Sequence, residues 1–127
     1  MSWTVEYHSD HRFVECKAMG FLRVDDLIKA AVTTFDLARE KDTTLVLVDD
    51  SKLERTVGIR DIYDMPQRYA DLNIDSRLKV AVILPTSPKA KEEVQFFETV
   101  CRNRGLNISV FRNRDEAMDF LIKKTSL

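Results

Sequence analysis

The fold is decided by the stretch from Leu78 to Lys124, which reads LKVAVILPTSPKAKEEVQFFETVCRNRGLNISVFRNRDEAMDFLIKK. It predicts a strand, a helix, a second strand and a second helix with almost no residues between them. The strands are the apolar runs at 78–84 and 108–111. The helices lie between Ser87 and Gly105 and from Asn113 to Lys124, where a serine and an asparagine stand at N-cap positions and a glycine follows the first helix.

The first half of the chain predicts a hairpin followed by a helix and a strand. Apolar residues alternate over 3–7 and again over 14–18, and pairing His8 with Phe13 puts both sets on one face. Asp25 or Asp26 can cap a helix that runs to about Lys41. The continuous apolar run at 44–49 then predicts a strand that is covered on both faces.

The region between this strand and residue 78 has the weakest pattern. Residues 50–60 are expected to be irregular. A short turn is predicted near Arg60–Tyr63 and a helix from about Met65 to Leu72, because Pro66 cannot donate the backbone hydrogen bond that an interior helix position needs.

The resulting order of elements is β-β-α-β-α-β-α-β-α. It predicts an α/β fold with a mixed sheet, in which an N-terminal antiparallel hairpin is followed by parallel strands joined by helices. At 127 residues the chain is expected to form a single domain, 1–127, that buries roughly two-thirds of its unfolded surface.

Composition limits the partners that we expect. Charged residues make up 32% of the chain and the net charge is −1, which gives no general reason to bind nucleic acid. No apolar run approaches the roughly 20 residues that span a membrane. Without a secretory signal pattern, and with two cysteines in no metal or redox spacing, a cytoplasmic setting is expected.

The carboxyl ends of the predicted parallel strands form the first candidate site. Ligands of open α/β sheets tend to bind there. A carboxylate pair, hydroxyl groups, a helix start and a guanidinium group would meet at this surface, although each is also an ordinary turn or cap residue. The residues are Asp49, Asp50, Ser51, Thr86, Ser87 and Arg112.

The segment 53–69 is the second candidate. It is apolar and aromatic but interrupted by proline, which is consistent with simple packing over the sheet edge, with a mobile lid over an apolar pocket, or with a partner or homodimer contact. Its candidate residues are Leu53, Val57, Ile59, Ile62, Tyr63, Met65 and Tyr69.

Known catalytic and metal-binding patterns are missing from the sequence. There is no glycine-rich phosphate loop, and no Ser-His-acid or Cys-His spacing. We therefore expect no catalytic residues and no cofactor. His8 and His11 flank the hairpin turn and are expected to be exposed rather than to bind a metal, and Cys16 and Cys101 are expected to be core residues.

The chain resembles the SpoIIAA-like proteins, the STAS and SEC14-related group of small bacterial domains. The resemblance covers nearly the whole chain. It is carried by the hairpin, by the strands Leu45–Asp49 and Leu78–Val82, by the helix with Phe96-Phe97-Glu98-Thr99, and by the ending Val110–Leu121.

The resemblance implies two kinds of function. In STAS anti-sigma-factor antagonists a serine in an Asp-Ser-Ser-Gly-like motif is phosphorylated and switches partner binding; here Asp50-Ser51 stands near that place, without the second hydroxyl residue or the glycine. The SEC14-related side implies an apolar, lipid-like ligand under a helical gate, which is consistent with a lid at 53–69.

Three hypotheses follow. The first is a non-enzymatic cytoplasmic regulatory domain that acts through a protein partner or through self-association. The second is a carrier of a small apolar ligand, gated by segment 53–69. The third is an enzyme that uses Asp49, Asp50 and Ser51, which would require a carboxyl group of perturbed pKa near a cleft.

Overall fold

The protein is described by a computed structural model. The model describes residues 2–55, 58–71 and 77–123, and for residues 59, 66 and 69–71 it describes the backbone alone. The order of elements is the predicted one. The elements are β1 (Trp3–His8), β2 (Phe13–Phe21), α1 (Val24–Glu40), β3 (Leu45–Arg55), α2 (Ile59–Asp71), β4 (Lys79–Ile83), α3 (Pro88–Asn103), β5 (Asn107–Phe111) and α4 (Arg114–Ile122).

The five strands form one mixed sheet in the order β1-β2-β3-β4-β5. Strands β1 and β2 are antiparallel, and every other neighbouring pair is parallel. The hairpin has the predicted register, with Val5 opposite Cys16 and His8 opposite Phe13. A slip of one residue would turn its apolar set toward the opposite face of the sheet, so the alternating pattern specifies this register strongly.

The helices cover the two faces of the sheet unequally. Helices α1 and α3 pack on one face, α2 packs against α3, and α4 packs on the other face over β3, β4 and β5. Alternation along the strands divides the core accordingly. Val46 and Val82 face the side of α1 and α3, whereas Leu47 and Ala81 face Ala117 and Leu121 of the α4 side.

The prediction that residues 50–60 are irregular is wrong for 50–55, because β3 continues to Arg55. Its pairing with β4 ends at Asp49 opposite Ile83, but its pairing with β2 continues as far as Phe21 opposite Arg55. The long second strand of the hairpin thus satisfies backbone groups that the sequence pattern left without a partner.

The prediction of a turn at 60–63 and a helix from Met65 is also wrong, because α2 is continuous from Ile59 through Pro66. An interior proline costs a helix about 3 kcal/mol. Ile62 and Met65 are almost completely buried on one face of α2, and burying such side chains contributes about 1.5–3 kcal/mol each. Tertiary packing therefore offsets the free-energy cost of the proline. Leu72, the predicted end of this helix, lies outside the described residues.

The helix ends agree with the sequence signals in part. Gly105 has the left-handed φ of 87° that follows a helix end, and the Asn113 side chain accepts a hydrogen bond from the Glu116 N–H at 2.9 Å. Ser87 occupies the N-cap position of α3, but its side chain makes no capping bond there. The prediction that Asp25 or Asp26 is the N-cap of α1 is wrong, because α1 begins at Val24 and its N-cap is Arg23. Asp26 lies in the first turn and accepts a hydrogen bond from the Arg23 N–H at 3.1 Å.

Candidate functional site

A cavity of about 150 Å³ lies between the sheet and the three helices on its α1 and α3 side. Its walls are predominantly aliphatic and aromatic. Every strand from β2 to β5 contributes to it, as do α1, α2 and α3. The side chains at its sheet wall include Cys16, Ala18, Val46, Val48, Asp50, Leu53, Val80, Val82 and Ile108.

The position of α2 explains why space remains beneath it. Among the described residues, α2 packs principally against α3 and has no comparable contact with any strand. The walls opposite it include small residues, such as Ala30 and Ala31 of α1 and Cys101 of α3. Protein interiors normally fill such space to the density of an organic crystal, so an open volume of this size is a feature that needs an explanation.

A bulge in β3 directs one of the cavity side chains. Lys17 of β2 lies opposite Asp49 and Met19 lies opposite Lys52, so that β3 carries one extra residue between these pairs. The Asp49 carboxylate accepts a hydrogen bond from the Ser51 N–H at 3.0 Å within this irregularity. Ordinary alternation after Val46 and Val48 already turns Asp50 toward the cavity, and the extra residue brings Leu53 to the same face.

Asp50 is the unusual group of the cavity. It is only 9% exposed. Burial, with a smaller contribution from the neighbouring Asp49 charge, raises its pKa from the ordinary 3.8 to about 7. Among the described residues none donates a hydrogen bond to its carboxyl group. Buried carboxylates are normally paired, so this one is available to a ligand.

The other polar groups of the cavity wall have partners or stay neutral. The Glu93 carboxylate lies 3.9 Å from the Arg55 Nε. The Thr34 hydroxyl donates to the Ala30 carbonyl oxygen at 2.7 Å. Burial raises the pKa of the Cys16 thiol to about 11 and that of the Cys101 thiol to about 12, so neither is a thiolate near neutral pH.

The six residues of the predicted strand-end surface do not form one site. Asp50 faces the cavity, whereas the Asp49 charge acts on Arg114 of the α4 side. Ser51 lies within β3, and the next helix begins only at Ile59. The Ser87 hydroxyl donates to the Glu54 carbonyl oxygen at 3.2 Å. The remaining two, Thr86 and Arg112, are exposed in the loops before α3 and α4.

The residues of the predicted lid divide between the cavity and the surface. Leu53 of β3 and Ile62 and Met65 of α2 line the cavity, whereas Tyr63 is 57% exposed. Val57 and the side chains of Ile59 and Tyr69 lie outside what the structure describes. Helix α2 is therefore a cover over the cavity, made of one continuous helix.

A second polar cluster lies on the opposite face of the sheet. Glu15 is 1% exposed, and its two carboxylate oxygens accept hydrogen bonds from Arg114 at 2.8 and 2.9 Å. Burial alone would raise the pKa of Glu15, but the hydrogen bonds and charge of Arg114 outweigh it and hold that pKa below the ordinary 4.5. This pair connects β2 to the first turn of α4.

His8 belongs to this second cluster and is not the exposed turn residue that the sequence predicts. Its side chain is 29% exposed, stacks on Phe13 at 4.6 Å between ring centroids, and places Nε2 2.9 Å from Glu15 Oε1 without hydrogen-bond alignment. Ligand atoms of Glu6, His8 and Glu15 lie within 4.8 Å of one another. A metal ion there would have to displace the Arg114 guanidinium from Glu15, so the group fits a structural ion cluster better.

Sequence reasoning missed Glu15, Arg114 and Glu93. Each is an ordinary charged residue in the sequence, and each becomes special through a distant partner or through burial. A signal for Glu15 exists in retrospect, since an acidic residue stands between Val14 and Cys16 in a strand that is otherwise rich in buried positions. Within the described residues, no helix is long and apolar enough to cross a membrane.

Solved structures were found that share this arrangement of strands and helices. One is an uncharacterised protein of the DUF3478 family from Shewanella loihica PV-4, described as having a SpoIIAA-like fold. It is 19% identical with a TM-score of 0.53, and the match covers 94% of this chain and 91% of that one. This chain has the SpoIIAA-like fold.

A second solved structure carries the same SpoIIAA-like fold. It is the anti-sigma factor antagonist SpoIIAA in its unphosphorylated form, which is 14% identical with a TM-score of 0.51 and matches over 92% of this chain and 94% of its own. No family model and no curated protein matches the sequence. The likeness therefore establishes the SpoIIAA-like fold alone.

Proposed function

We propose that this chain is a non-enzymatic ligand-binding domain that takes one small apolar molecule into the cavity beneath α2. The observation that carries the proposal is the cavity itself, about 150 Å³ in volume with predominantly apolar walls. In an unrelated protein, an engineered apolar cavity of about 150 Å³ stays dry and binds benzene. The volume therefore suits a single ring or a branched hydrocarbon of similar size.

The same volume argues against a long acyl chain as the guest. The resemblance to the SEC14-related group implies a lipid-like ligand as one alternative, but a full-length acyl chain would fill more space than the cavity offers unless α2 moved away from α3. Ile62 and Met65 of α2 already occupy the inner face of the cover. A compact guest can be held without displacing them, which makes it the better fit.

A non-enzymatic role is supported by how the candidate chemical groups are separated. Asp50 faces the cavity, while the Asp49 carboxylate accepts a hydrogen bond from the Ser51 N–H. The two buried thiols are protonated near neutral pH because burial raises their pKa values. Neither solved neighbour is described as an enzyme. The buried free thiols also suit a reducing compartment, so we place the protein in the cytoplasm.

The proposal is tested by titrating the protein with toluene and following the methyl signals of Ile62 and Met65 by NMR. We expect saturable shifts at these signals. In the variant Ala31→Leu the added side chain fills part of the cavity, and the shifts should disappear. Thr33→Leu places a leucine on the exposed side of α1 and should leave binding unchanged. Toluene that shifts neither signal, or binds Ala31→Leu equally well, would contradict the proposal.

A second candidate is a regulatory domain that works through protein contacts. It is favoured by two exposed aromatic side chains, Phe21 at 54% and Tyr63 at 57%, and by the likeness to SpoIIAA, whose description is that of an anti-sigma factor antagonist. Self-association is its simplest form. Light scattering after size exclusion should then show a dimer that Phe21→Ser or Tyr63→Ser weakens, and a monomer at every concentration would count against self-association.

A further inference from the structure

The polar groups in the cavity wall restrict the chemical class of the ligand further. This inference rests on the proposed function. We propose that Asp50 anchors a small hydrophobic primary amine, with its hydrocarbon part in the cavity and its ammonium group on the Asp50 carboxylate. The juxtaposition that carries it is a buried carboxyl group without a hydrogen-bond donor, opening into an apolar space of ring size.

The ionisable carboxyl groups of the cavity wall favour a cation. The described side chains that line it include two carboxyl groups, Asp50 and Glu93, and no lysine, arginine or histidine. Asp49 adds a further negative charge next to Asp50 and helps to raise its pKa. Arg55 lies 3.9 Å from Glu93 and is half exposed. A carboxylate ligand would meet repulsion here.

The free energy of desolvation strengthens the argument. The folded protein has already removed the Asp50 carboxyl group from water without giving it a partner, which is the costly part of forming a buried ion pair. An arriving ammonium group adds its own desolvation but gains a charge-assisted hydrogen bond of the strong kind. The site is therefore organised in advance for a cation, whereas a purely apolar guest leaves the carboxyl group unpaired.

The shape of the cavity selects among amines. Its remaining walls are aliphatic side chains together with Phe35 and Phe97, which gain from contact with a ring or a branched alkyl group. A polyamine would place further charges among these apolar side chains, where the other carboxylate, Glu93, already lies near Arg55. One ammonium group on one compact hydrocarbon is the chemistry that fits.

The test compares three probes that share one ring: toluene, benzylamine and benzoate. Dissociation constants are measured at pH 8 by calorimetry and by the NMR signals of Ile62 and Met65. Benzylamine should bind at least about tenfold more tightly than toluene, in line with one charge-assisted hydrogen bond, and benzoate should not bind. Asp50→Asn should reduce benzylamine to the affinity of toluene, while the control Asp49→Asn should change it by less than about threefold.

The outcomes separate this inference from the proposed function. Toluene and benzylamine binding equally would overturn the amine assignment and leave the apolar site intact. If neither binds, the proposed function itself is wrong. If benzylamine binds the Asp50→Asn variant as tightly as the wild type, the cation site lies elsewhere and the assignment is overturned. Thermal unfolding verifies that each variant is folded. Benzylamine binding that is tighter than toluene binding and depends on Asp50 supports the assignment.

Discussion

The two faces of the sheet each bury a carboxyl group, and they treat it in opposite ways. On the α4 side, Glu15 is fully paired by the bidentate Arg114, and its pKa lies below the ordinary value. On the side of α1 and α3, Asp50 has no donor among the described residues, and burial raises its pKa to about 7. A buried carboxyl group with a hydrogen-bonded partner has a structural role, whereas a buried carboxyl group without a partner beside a cavity is typical of a binding site.

The two faces of the sheet also differ in how completely their cores are filled. The α4 side closes on Phe13, Leu47, Ala81 and Leu121, all almost completely buried. The other side leaves a cavity of about 150 Å³ under α2. The α4 side thus combines a paired Glu15 carboxylate with a closed apolar core. The face with an open volume and a free carboxyl group has both requirements of a binding site.

The largest expected effect is a dependence of stability on pH that comes from Asp50. Its pKa is higher in the folded protein than in the unfolded chain, so the folded state holds the proton longer and the free energy of unfolding falls as pH rises from about 4 to about 7. At roughly 1.4 kcal/mol per pKa unit, the loss is on the order of 4 kcal/mol.

Urea unfolding across this pH range tests the Asp50 effect. Asp50→Asn should remove most of the slope and should be more stable than the wild type at pH 8. Asp10→Asn, which changes an exposed carboxylate in the hairpin turn, should keep the wild-type slope. An unchanged slope in Asp50→Asn would show that the carboxyl group is hydrated or paired, and the contrast between the two faces would fail.

A smaller effect is expected on the paired face. Arg114→Met leaves Glu15 buried without its partner, and we expect the free energy of unfolding at pH 7 to fall by about 2 kcal/mol, less than for a completely buried pair because Arg114 is 45% exposed. The double variant Glu15→Met/Arg114→Met leaves no unpaired charge, so it should regain most of the loss. Denaturant midpoints measure both, and a double variant no better than the single one would contradict this account.

The smallest expected effect compares the starts of two helices on opposite faces. Asn113→Ala removes a side chain that accepts the Glu116 N–H, and should cost about 1 kcal/mol. Ser87→Ala removes a hydroxyl that contacts the Glu54 carbonyl oxygen and makes no cap, so we expect a loss below about 0.5 kcal/mol. Thermal unfolding of the two variants side by side measures the difference, and equal losses would show that Ser87 does cap α3.

Local signals determined much of this protein. The hairpin register follows from strict alternation over two short runs, because a slip would expose every apolar side chain. The order of elements and the ends of α3 and α4 follow from Gly105, Asn113 and the apolar runs between them, all of which act within a few residues. Asp50 was also a candidate from sequence, although for the end of a strand rather than for a cavity.

Tertiary structure decided the rest. Strand β3 extends to Arg55 because β2 is long enough to pair with it, and α2 passes through Pro66 because Ile62 and Met65 are buried beneath it. Glu15 and Arg114 meet across 99 positions of sequence. A bulge brings Leu53 to the same face as Asp50, and the packing of α2 on α3 leaves the cavity open. Hydrophobic periodicity and capping residues determine the type and the ends of a single helix or strand. Side-chain partners and cavities depend on how the helices and strands pack against one another.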